Sequence, residues 1–567
     1  MPRRAGMIAA LVILVAAVSP PARADSSAAQ VDHLVHATTG DGARFEDDLG
    51  RTVLLRGVNV NQLNEYATNA PGYEPTIPLT DDDFAGIAAL GLDTVRLLVS
   101  WSRLEPSRGT YDDAYVAEVR NWIEVAAAHD IYVVVDMHQD AWGVAVGTPT
   151  GVDCVPPLIP NIGWDGAPAW ATITDGTSTC RASIRELAPA VAQAWTNFYV
   201  NRDQIRDHLV AAWGRLAGAV ADLPNIAGWD VLNEPNPGSI TIGTAELALL
   251  GQYQDAAFDA IRAAEAAAPS GLRHVGLFEP SVEWSAFGIT AVSPPGFTDQ
   301  SDLAFAPHLY ADSITADRTL GITALSIAQG HDAAATVATL YGVPYWSGEW
   351  GWFGDPATDG TKVTEYAAQE DAHLAGGAWW SWKQACGDPH VVGSRGATPS
   401  GTSPSLNRIS CPDGSNLGIP PEFAVPLSRS YPRAAPGRLL SLSSTPDTGA
   451  MTLTGAAPGA TGPAAMLDLW VPDRGLGPPV VSGDNVGDVE AVSVPGGWRV
   501  HATATDAYRA EVRPQSVAAA SDTAAEAADA AASTRGGSLP ATGGAPPVAA
   551  GAIVLLFTLV LRRCAWS

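Results

Sequence analysis

Lysine is nearly missing from this chain. Of 567 residues only Lys362 and Lys383 are lysines, and arginine carries the rest of the positive charge. That imbalance reads as coding bias before function. The formal net charge is −28, which excludes nucleic acid and anionic membrane surfaces as partners. Cysteine is scarce, at five residues, and no CxxC, HExxH or other metal-ligand spacing occurs. No metal and no cofactor is expected on that ground. The acidic run Asp81, Asp82, Asp83 follows Thr80 and reads as a capped first helical turn, not a cation site. What the chain does have in quantity is tryptophan, 18 residues. Indole faces serve both as sugar-stacking platforms and as core filler, so composition does not choose between them.

The length suggests two or three domains. Residues 1–24 carry Arg3 and Arg4, the apolar segment Ile8–Val18 and the close Ala22-Arg23-Ala24, the pattern of a secretory signal with a small-x-small cleavage site. Near the other end stands Leu539-Pro540-Ala541-Thr542-Gly543, then a mostly apolar run to Leu561, then Arg562 and Arg563. This arrangement over 539–567 resembles the cell-wall sorting signal of Gram-positive bacteria. The resemblance implies a sortase cut between Thr542 and Gly543, transfer to peptidoglycan and a secreted, wall-anchored protein. A plain membrane anchor is the alternative, but the apolar run falls short of the ~20 residues of a relaxed spanning helix. Residues 514–538, mostly Ala, Ser, Thr, Asp and Gly, read as a flexible tether. Cys564 lies in the tail that sorting removes. The other four suit disulfides in an oxidising compartment, and proximity favours Cys154–Cys180 and Cys386–Cys411 among three possible connectivities.

Between these ends, apolar strands alternate with amphipathic helices. The strands are expected at Thr52–Val60, Thr94–Ser100, Ile131–His138, the GWDVLNE stretch from Gly228, His274–Pro280, Leu303–Tyr310, Val343–Trp350 and Gly377–Lys383. Eight buried strands with helical crossovers indicate an α/β fold, a (β/α)8 TIM barrel over residues 25–430. After about Tyr431 the period shortens to alternating runs separated by Gly and Pro, which predicts a small antiparallel β-sandwich domain over 431–513. A monomer is expected.

Two barrel strands end in glutamate. GWDVLNEPNP carries Asn233 and Glu234, and VPYWSGEW carries Glu349. Strand C-ends converge at the catalytic face of a barrel, and two facing carboxyls are what a glycosidase uses. The other polar or aromatic residues at strand ends are Arg96, His138, Asp140, His308, Tyr310 and Trp382. This set resembles the active site of glycoside hydrolase family 5, whose members are retaining barrel glycosidases. LNEP matches the acid/base motif and SGEW the nucleophile, with HLY on the sixth strand and WWSW on the eighth. The resemblance implies Glu234 as acid/base and Glu349 as nucleophile. Arg96, His138, Asp140, Asn233, His308, Tyr310 and Trp382 become substrate-binding residues, Trp382 as a stacking floor. Glu349 is expected to be ionised beside Arg96 and Tyr310, and Glu234 to be held protonated by the charge of Glu349.

VDMHQD at 135–140, DGAPAWAT at 165–172 and YPRAAPG from Tyr431 are further similar to endoglycoceramidases, which cut between an intact oligosaccharide and ceramide. That implies a glycosphingolipid substrate. A family 5 β-glycanase or β-glucosidase acting on polysaccharide, and a non-catalytic carbohydrate-binding surface protein, are the alternatives. Better-known endoglycoceramidases carry a sugar-binding lysine after the first strand. Here VNVNQLNEY, residues 58–66, has none, which leaves the first sugar open between glucose and galactose. The long insertion 141–184, with Trp142, VPPLIP and the Cys154/Cys180 pair, is expected to line an aglycone channel with Trp284 and Phe287.

Overall fold

The computed structural model describes residues 31, 33–182, 184–240, 245–287, 292–313 and 325–515. The signal segment, the sorting motif, Cys564 and all but the first two residues of the tether lie outside the described residues.

Eight parallel strands form the barrel: β1 (Arg56–Val60), β2 (Thr94–Val99), β3 (Tyr132–Met137), β4 (Ile226–Asp230), β5 (Val275–Phe278), β6 (Leu303–Phe305), β7 (Ser347–Gly351) and β8 (Gly377–Trp380). They pair in the order β6-β5-β4-β3-β2-β1-β8-β7. The ring closes at Phe305, whose N–H donates to Pro344 O and whose carbonyl accepts from Trp346 N. Every residue of β2 and β3 is buried, as helices on one face and barrel interior on the other require. The helices start where their caps stand. Asp112 accepts from Ala114 N and Tyr115 N to open Asp113–Ala128, whose Val116, Val119 and Ile123 face the core. Ser326 and Gln329 form a capping box for Ile327–Tyr341, which ends at Gly342 in the left-handed conformation.

The expected first strand, Thr52–Val60, divides in two. Thr52–Val53 belongs to an antiparallel sheet that also holds Val35–Ala37 and Phe45–Asp47, and only Arg56 onward enters the barrel. Between them Leu54 packs into the C-terminal domain's core and Leu55 into a cluster with Val134, Ala227, Leu277 and Ala378 of the barrel strands. An apolar run that serves two cores in succession has the composition of one strand.

The C-terminal strands are β9 (Tyr431–Ala435), β10 (Leu439–Thr445), β11 (Ala450–Gly455), β12 (Met466–Pro472), β13 (Pro479–Val494) and β14 (Gly497–Pro514). The first half of β14 pairs with β12 and its second half with β11. The two layers it links share one core of Leu453, Leu467, Leu469, Val500, Ala510 and Val512. Residues Val31, Val35, Ala37, Phe45 and Val53, with Ala434 of this domain, pack against Val134, Ala227, Val275 and Leu277 of the barrel strands. Arg56 donates to Asp371 Oδ1 at 2.6 Å while its guanidinium lies over the Tyr431 ring, and Arg429 joins Glu370 and Asp371. Both disulfides form with the pairing that proximity favoured, Cys154–Cys180 and Cys386–Cys411.

Candidate active site

The site is built on Arg96, the third residue of β2, which is fully buried. A buried cation demands partners, and this one uses all five N–H groups. Nε donates to Asp230, Nη1 to Asn59 and Glu349, and Nη2 to Asn233 and Glu279, all at 2.8–3.1 Å. Asp136 Oδ1 stands 3.0 Å from Nη2. A planar fork with fixed donor directions thus sets the orientation of groups from five different strands or strand ends. Asn59 is itself held by donation to the Gly348 and Ala378 carbonyls. Burial and the neighbouring Glu279 push the Asp230 carboxyl well above the usual carboxylate range; that lessens the negative charge around the arginine.

Glu349 lies on β7. Its Oε1 accepts from Arg96 Nη1 and its Oε2 from the Tyr310 hydroxyl, each at 2.8 Å. Burial pushes its pKa up, against the pull of His308 and Arg96. Glu234 follows β4 in the left-handed region at φ 39°, a conformation costing about 1–3 kcal/mol that surrounding bonds must impose. Here the Glu234 N–H donates to Glu279 Oε2 at 2.8 Å. Its Oε1 accepts from Ser285 Oγ at 2.6 Å and lies 2.9 Å from His308 Nδ1. Burial pushes the Glu234 carboxyl up, but the hydrogen bond and charge of His308 outweigh it and hold it below the ordinary range. This reverses the expected order of the two glutamates. Glu349 was expected to be the dominant neighbour, but His308 Nδ1 stands 2.9 Å from Glu234 Oε1 and draws the carboxyl in the opposite direction. Oxygen atoms of Glu234 and Glu349 come within 4.8 Å of each other, with a ring nitrogen of His308 as near to both. That spacing suits double displacement, for which the carboxyls stand about 5–5.5 Å apart.

A second polar group flanks the glutamates. Asp140 Oδ1 accepts from Asn233 Nδ2 at 3.1 Å, and Oδ2 accepts from Arg185 Nη2 and meets His390 Nε2. Burial raises the Asp140 pKa, but Arg185, His138 and His390 hold it well below its usual value. His138 Nδ1 contacts Asp136 Oδ2 at 2.8 Å, and its ring stacks on Trp380 at 5.3 Å. Burial works against its charge, yet Asp136 and Asp165 keep the imidazole pKa well above normal. Asp165, in the DGAPAWAT stretch, is pushed up to about 8 by burial. It accepts from Asn64 Nδ2 and Asp140 N.

The structure therefore brings together Arg96, His138, Asp140, Asn233, Glu234, His308, Tyr310 and Glu349. It does not bring Trp382. β8 ends at Trp380, and two residues later the indole of Trp382 donates to Asp83 and abuts Gly86 of the first helix. Its role is packing. The tryptophan at the strand end is Trp380, which contacts His138, His390 and Tyr310. Trp284 is likewise core, edge-on to Phe305 and 2% exposed. In the insertion, Trp142 packs on Trp195 and Phe198, while Val155, Leu158 and Ile159 stand 75%, 37% and 44% exposed. Asn59, Asp136, Asp230 and Glu279 were missed, although each carries the same signal as Arg96, a polar residue in or ending an apolar strand. Ser285 on the short helix Glu283–Phe287, Arg185 on the 3-10 turn Arg185–Leu187 and His390 in a turn stand off the strand ends and had no such signal.

The chain matches the model of "Cellulase (glycosyl hydrolase family 5)" over residues 50–385. It is 30% identical over 282 residues to endoglycoceramidase I of Rhodococcus hoagii, covering 48% of this chain and 52% of that one. To endoglycoceramidase of Cyanea nozakii it is 25% identical over 300 residues, covering 47% and 54%. It thus spans about half the length of these curated relatives. Among solved structures, an endogalactoceramidase is 42% identical with a TM-score of 0.76, over 85% of this chain and 100% of that one. Endo-glycoceramidase II from Rhodococcus sp., solved as a lactosyl-enzyme intermediate, is 25% identical with a TM-score of 0.63, over 83% and 99%. With the matched region spanning the barrel and both glutamates, this chain belongs to glycosyl hydrolase family 5.

Proposed function

We propose that this protein is a retaining endo-β-glycosidase that hydrolyses the bond between glycan and ceramide in glycosphingolipids, releasing intact oligosaccharide and ceramide. The observation that carries the reaction class is the Glu234/Glu349 pair, with oxygens inside 4.8 Å and Glu349 fixed by Arg96 and Tyr310. Glu349 attacks the anomeric carbon as the bond to ceramide breaks, and Glu234 protonates the departing oxygen. In the second step Glu234 takes a proton from water, which displaces Glu349 from the sugar. Asn233 and Asp140 bind sugar hydroxyls, with Asn233 placed for the 2-hydroxyl, and His138 and Trp380 shape the subsite. Ceramide as the leaving group is supported by the names of the relatives and of the solved neighbours. Galactose as the first sugar is supported by the endogalactoceramidase at 42% identity. It also agrees with a first loop whose Asn61, Gln62 and Asn64 bond to other residues and which holds no lysine. No metal or cofactor is needed for these steps.

Incubating the soluble enzyme with galactosyl- and glucosyl-linked glycolipids and with β-glucans tests the reading. Free ceramide with intact glycan, faster from the galactosyl series, is expected. Oligosaccharides from glucan without ceramide release would replace it with a polysaccharide enzyme.

The export pattern at residues 1–24 and the sorting pattern from Leu539 to Arg563 support a secreted protein joined to peptidoglycan through Thr542 by a sortase. Leu539→Ala should shift the protein from the muramidase-released fraction to the medium or membrane. An unchanged fraction would refute the anchor.

A further inference from the structure

Glu234, the residue assigned to protonate the leaving group, has a second proton-carrying side chain against its carboxyl. His308 Nδ1 is 2.9 Å from Glu234 Oε1, and His308 Nε2 is 3.2 Å from Glu279 Oε1. The other oxygen of Glu279 accepts the backbone N–H of Glu234 at 2.8 Å. The three residues make a circuit of Glu234 side chain, imidazole, Glu279 and Glu234 backbone, in which the His308 Nε2–Glu279 leg is an ion-pair contact and not an aligned hydrogen bond. Glu279 is 3% exposed, anchored by Arg96 Nη2 on its carboxylate and by Gln254 Nε2 on its carbonyl. The other titratable groups around this circuit are Glu349, 3.4 Å from His308 Nδ1, the Tyr310 phenol, Arg96, Asp140 and Arg185, and Asp230, whose carboxyl is pushed well above the usual range by burial. The arginines stay protonated throughout, so the imidazole is the one cation here able to pass a proton to Glu234.

We propose that Glu279 is a positioning residue for general-acid catalysis: it orients His308 so that the imidazolium stores the proton Glu234 delivers, and it holds Glu234 in its left-handed turn to receive it. This rests on Glu234 being the acid/base. In the first step the Glu349–C1 bond forms and the C1–O bond to the aglycone breaks. The leaving oxygen takes the proton of Glu234 Oε1–H, which His308 Nδ1 has supplied. In the second step the water oxygen bonds to C1 and the Glu349–C1 bond breaks. The water proton passes through Glu234 Oε1 back to His308 Nδ1. One water is consumed and the imidazolium is restored. The orientation of His308 by a carboxylate on its far nitrogen follows the same physics as any base fixed in one tautomer by a partner.

The test is Glu279→Gln, which keeps the size and an acceptor for the Glu234 N–H but removes the charge facing His308. It uses two synthetic substrates of one glycan, one with an octyl and one with a dinitrophenyl aglycone; the latter leaves without a proton. For the octyl substrate kcat/KM should fall about 10–100-fold, within the range of general-acid effects, and the alkaline limb of its pH profile should move to lower pH. For the dinitrophenyl substrate kcat/KM should change less than about threefold, since acid assistance adds little there. Equal losses on both, or an unmoved pH limb, would overturn the proposal. Glu234→Ala, run alongside, separates this from the underlying assignment. If Glu234→Ala also fails to discriminate, Glu234 is not the acid; if it discriminates and Glu279→Gln does not, only the role of Glu279 falls. Should Glu279→Gln not fold, Glu279→Asp, which keeps the charge but shortens its reach, must show the same discrimination in smaller measure, and its absence is equally fatal.

Discussion

Around Arg96 every charged group is buried and partnered, whereas in the insertion 141–184 several large aliphatic side chains stand in water. The floor of the barrel mouth gathers Asp136, Asp230, Glu279 and Glu349 about one guanidinium, each within 3.0 Å of it. The insertion is held by Cys154–Cys180 and a two-residue ladder, Ile159–Pro160 with Cys180–Arg181, and leaves Val152, Val155, Leu158 and Ile159 exposed. Buried charge held in ion pairs gives fixed geometry at the cost of intolerance to change. Exposed apolar surface on a stapled loop adds nothing to folding and is kept where an apolar ligand meets the protein. The two regions should therefore answer mutation in opposite ways.

The sharpest contrast is chemical. Glu349→Ala and Glu234→Ala should each reduce turnover of glycolipid by about 10⁴-fold or more, the scale on which loss of a covalent or acid/base group is felt. With an activated aryl glycoside, Glu234→Ala should still form the glycosyl-enzyme, and azide should rescue it to a glycosyl azide of retained configuration, read by proton NMR of the product. An inverted azide would exchange the roles of the two glutamates. No substitution among the exposed aliphatics of the insertion should approach either loss.

Stability separates the regions next. Arg96→Met leaves four carboxyl groups without their shared cation and should cost about 3–5 kcal/mol in a denaturant titration. Val155→Ser, at 75% exposure, should stay within about 0.5 kcal/mol of the parent. A similar cost for both would mean that the insertion, too, is part of the folding core.

What could be read before folding follows the same division. Glu234 and Glu349 were legible because each ends an apolar strand, and Arg96 through the family resemblance, although it stands third in TVRLLV and not at the strand end. Asp136 in YVVVDM, Asp230 in IAGWD and Glu279 after VGLF carried an identical sign. These three acids lie with Arg96 in a polar layer of the barrel one step deeper than the catalytic glutamates. Trp382 failed for a local reason: β8 stops at Trp380, and a run such as WWSW does not mark where a strand ends. The state of Glu234 was not legible at all. It depends on a 2.9 Å contact with His308, 74 residues away in the chain. In the insertion, composition promised an apolar lining but could not say which residues face inward. Trp142 is core, as is Trp284 outside the insertion, and the smaller aliphatics of the insertion are the exposed ones.

Those aliphatics give the third test. Leu158→Ser with Ile159→Ser removes two half-exposed apolar side chains. If they meet ceramide, the loss of burial should lower kcat/KM for a glycosylceramide about tenfold, near 1.4 kcal/mol for two partly buried groups. A short aryl glycoside should be unaffected. The comparison needs detergent-matched substrate so that micelle partitioning is equal. Equal loss on both substrates would make the loop a structural lid, and no loss on either would place the lipid elsewhere.

The smallest effect expected is a slope in stability against pH, and it belongs to the floor alone. His390 lies between Asp388 Oδ1 at 2.7 Å and Asp140 Oδ2 at 3.1 Å. Burial opposes its charge, but Asp388 and Asp140 raise its pKa from 6.5 to about 9. A histidine whose folded pKa lies above its unfolded value contributes stability that is complete below pH 6.5 and is lost as pH climbs through about 9. Asp165 acts in the same direction. Its pKa is raised from 3.8 to about 8, so the folded state holds a proton that the unfolded chain gives up earlier, and stability falls as pH rises across that interval. Melting temperature should therefore decline by a few degrees between pH 6.5 and 9, at roughly 2–4 °C per kcal/mol. His390→Asn should start lower, having lost the ring contacts to Trp164 and Trp380, but descend less steeply over the same range. Val155→Ser should keep the parent's slope. A His390→Asn curve parallel to the parent's would show that the imidazole is neutral throughout, and that the aspartates around it balance their charge on Arg185 instead.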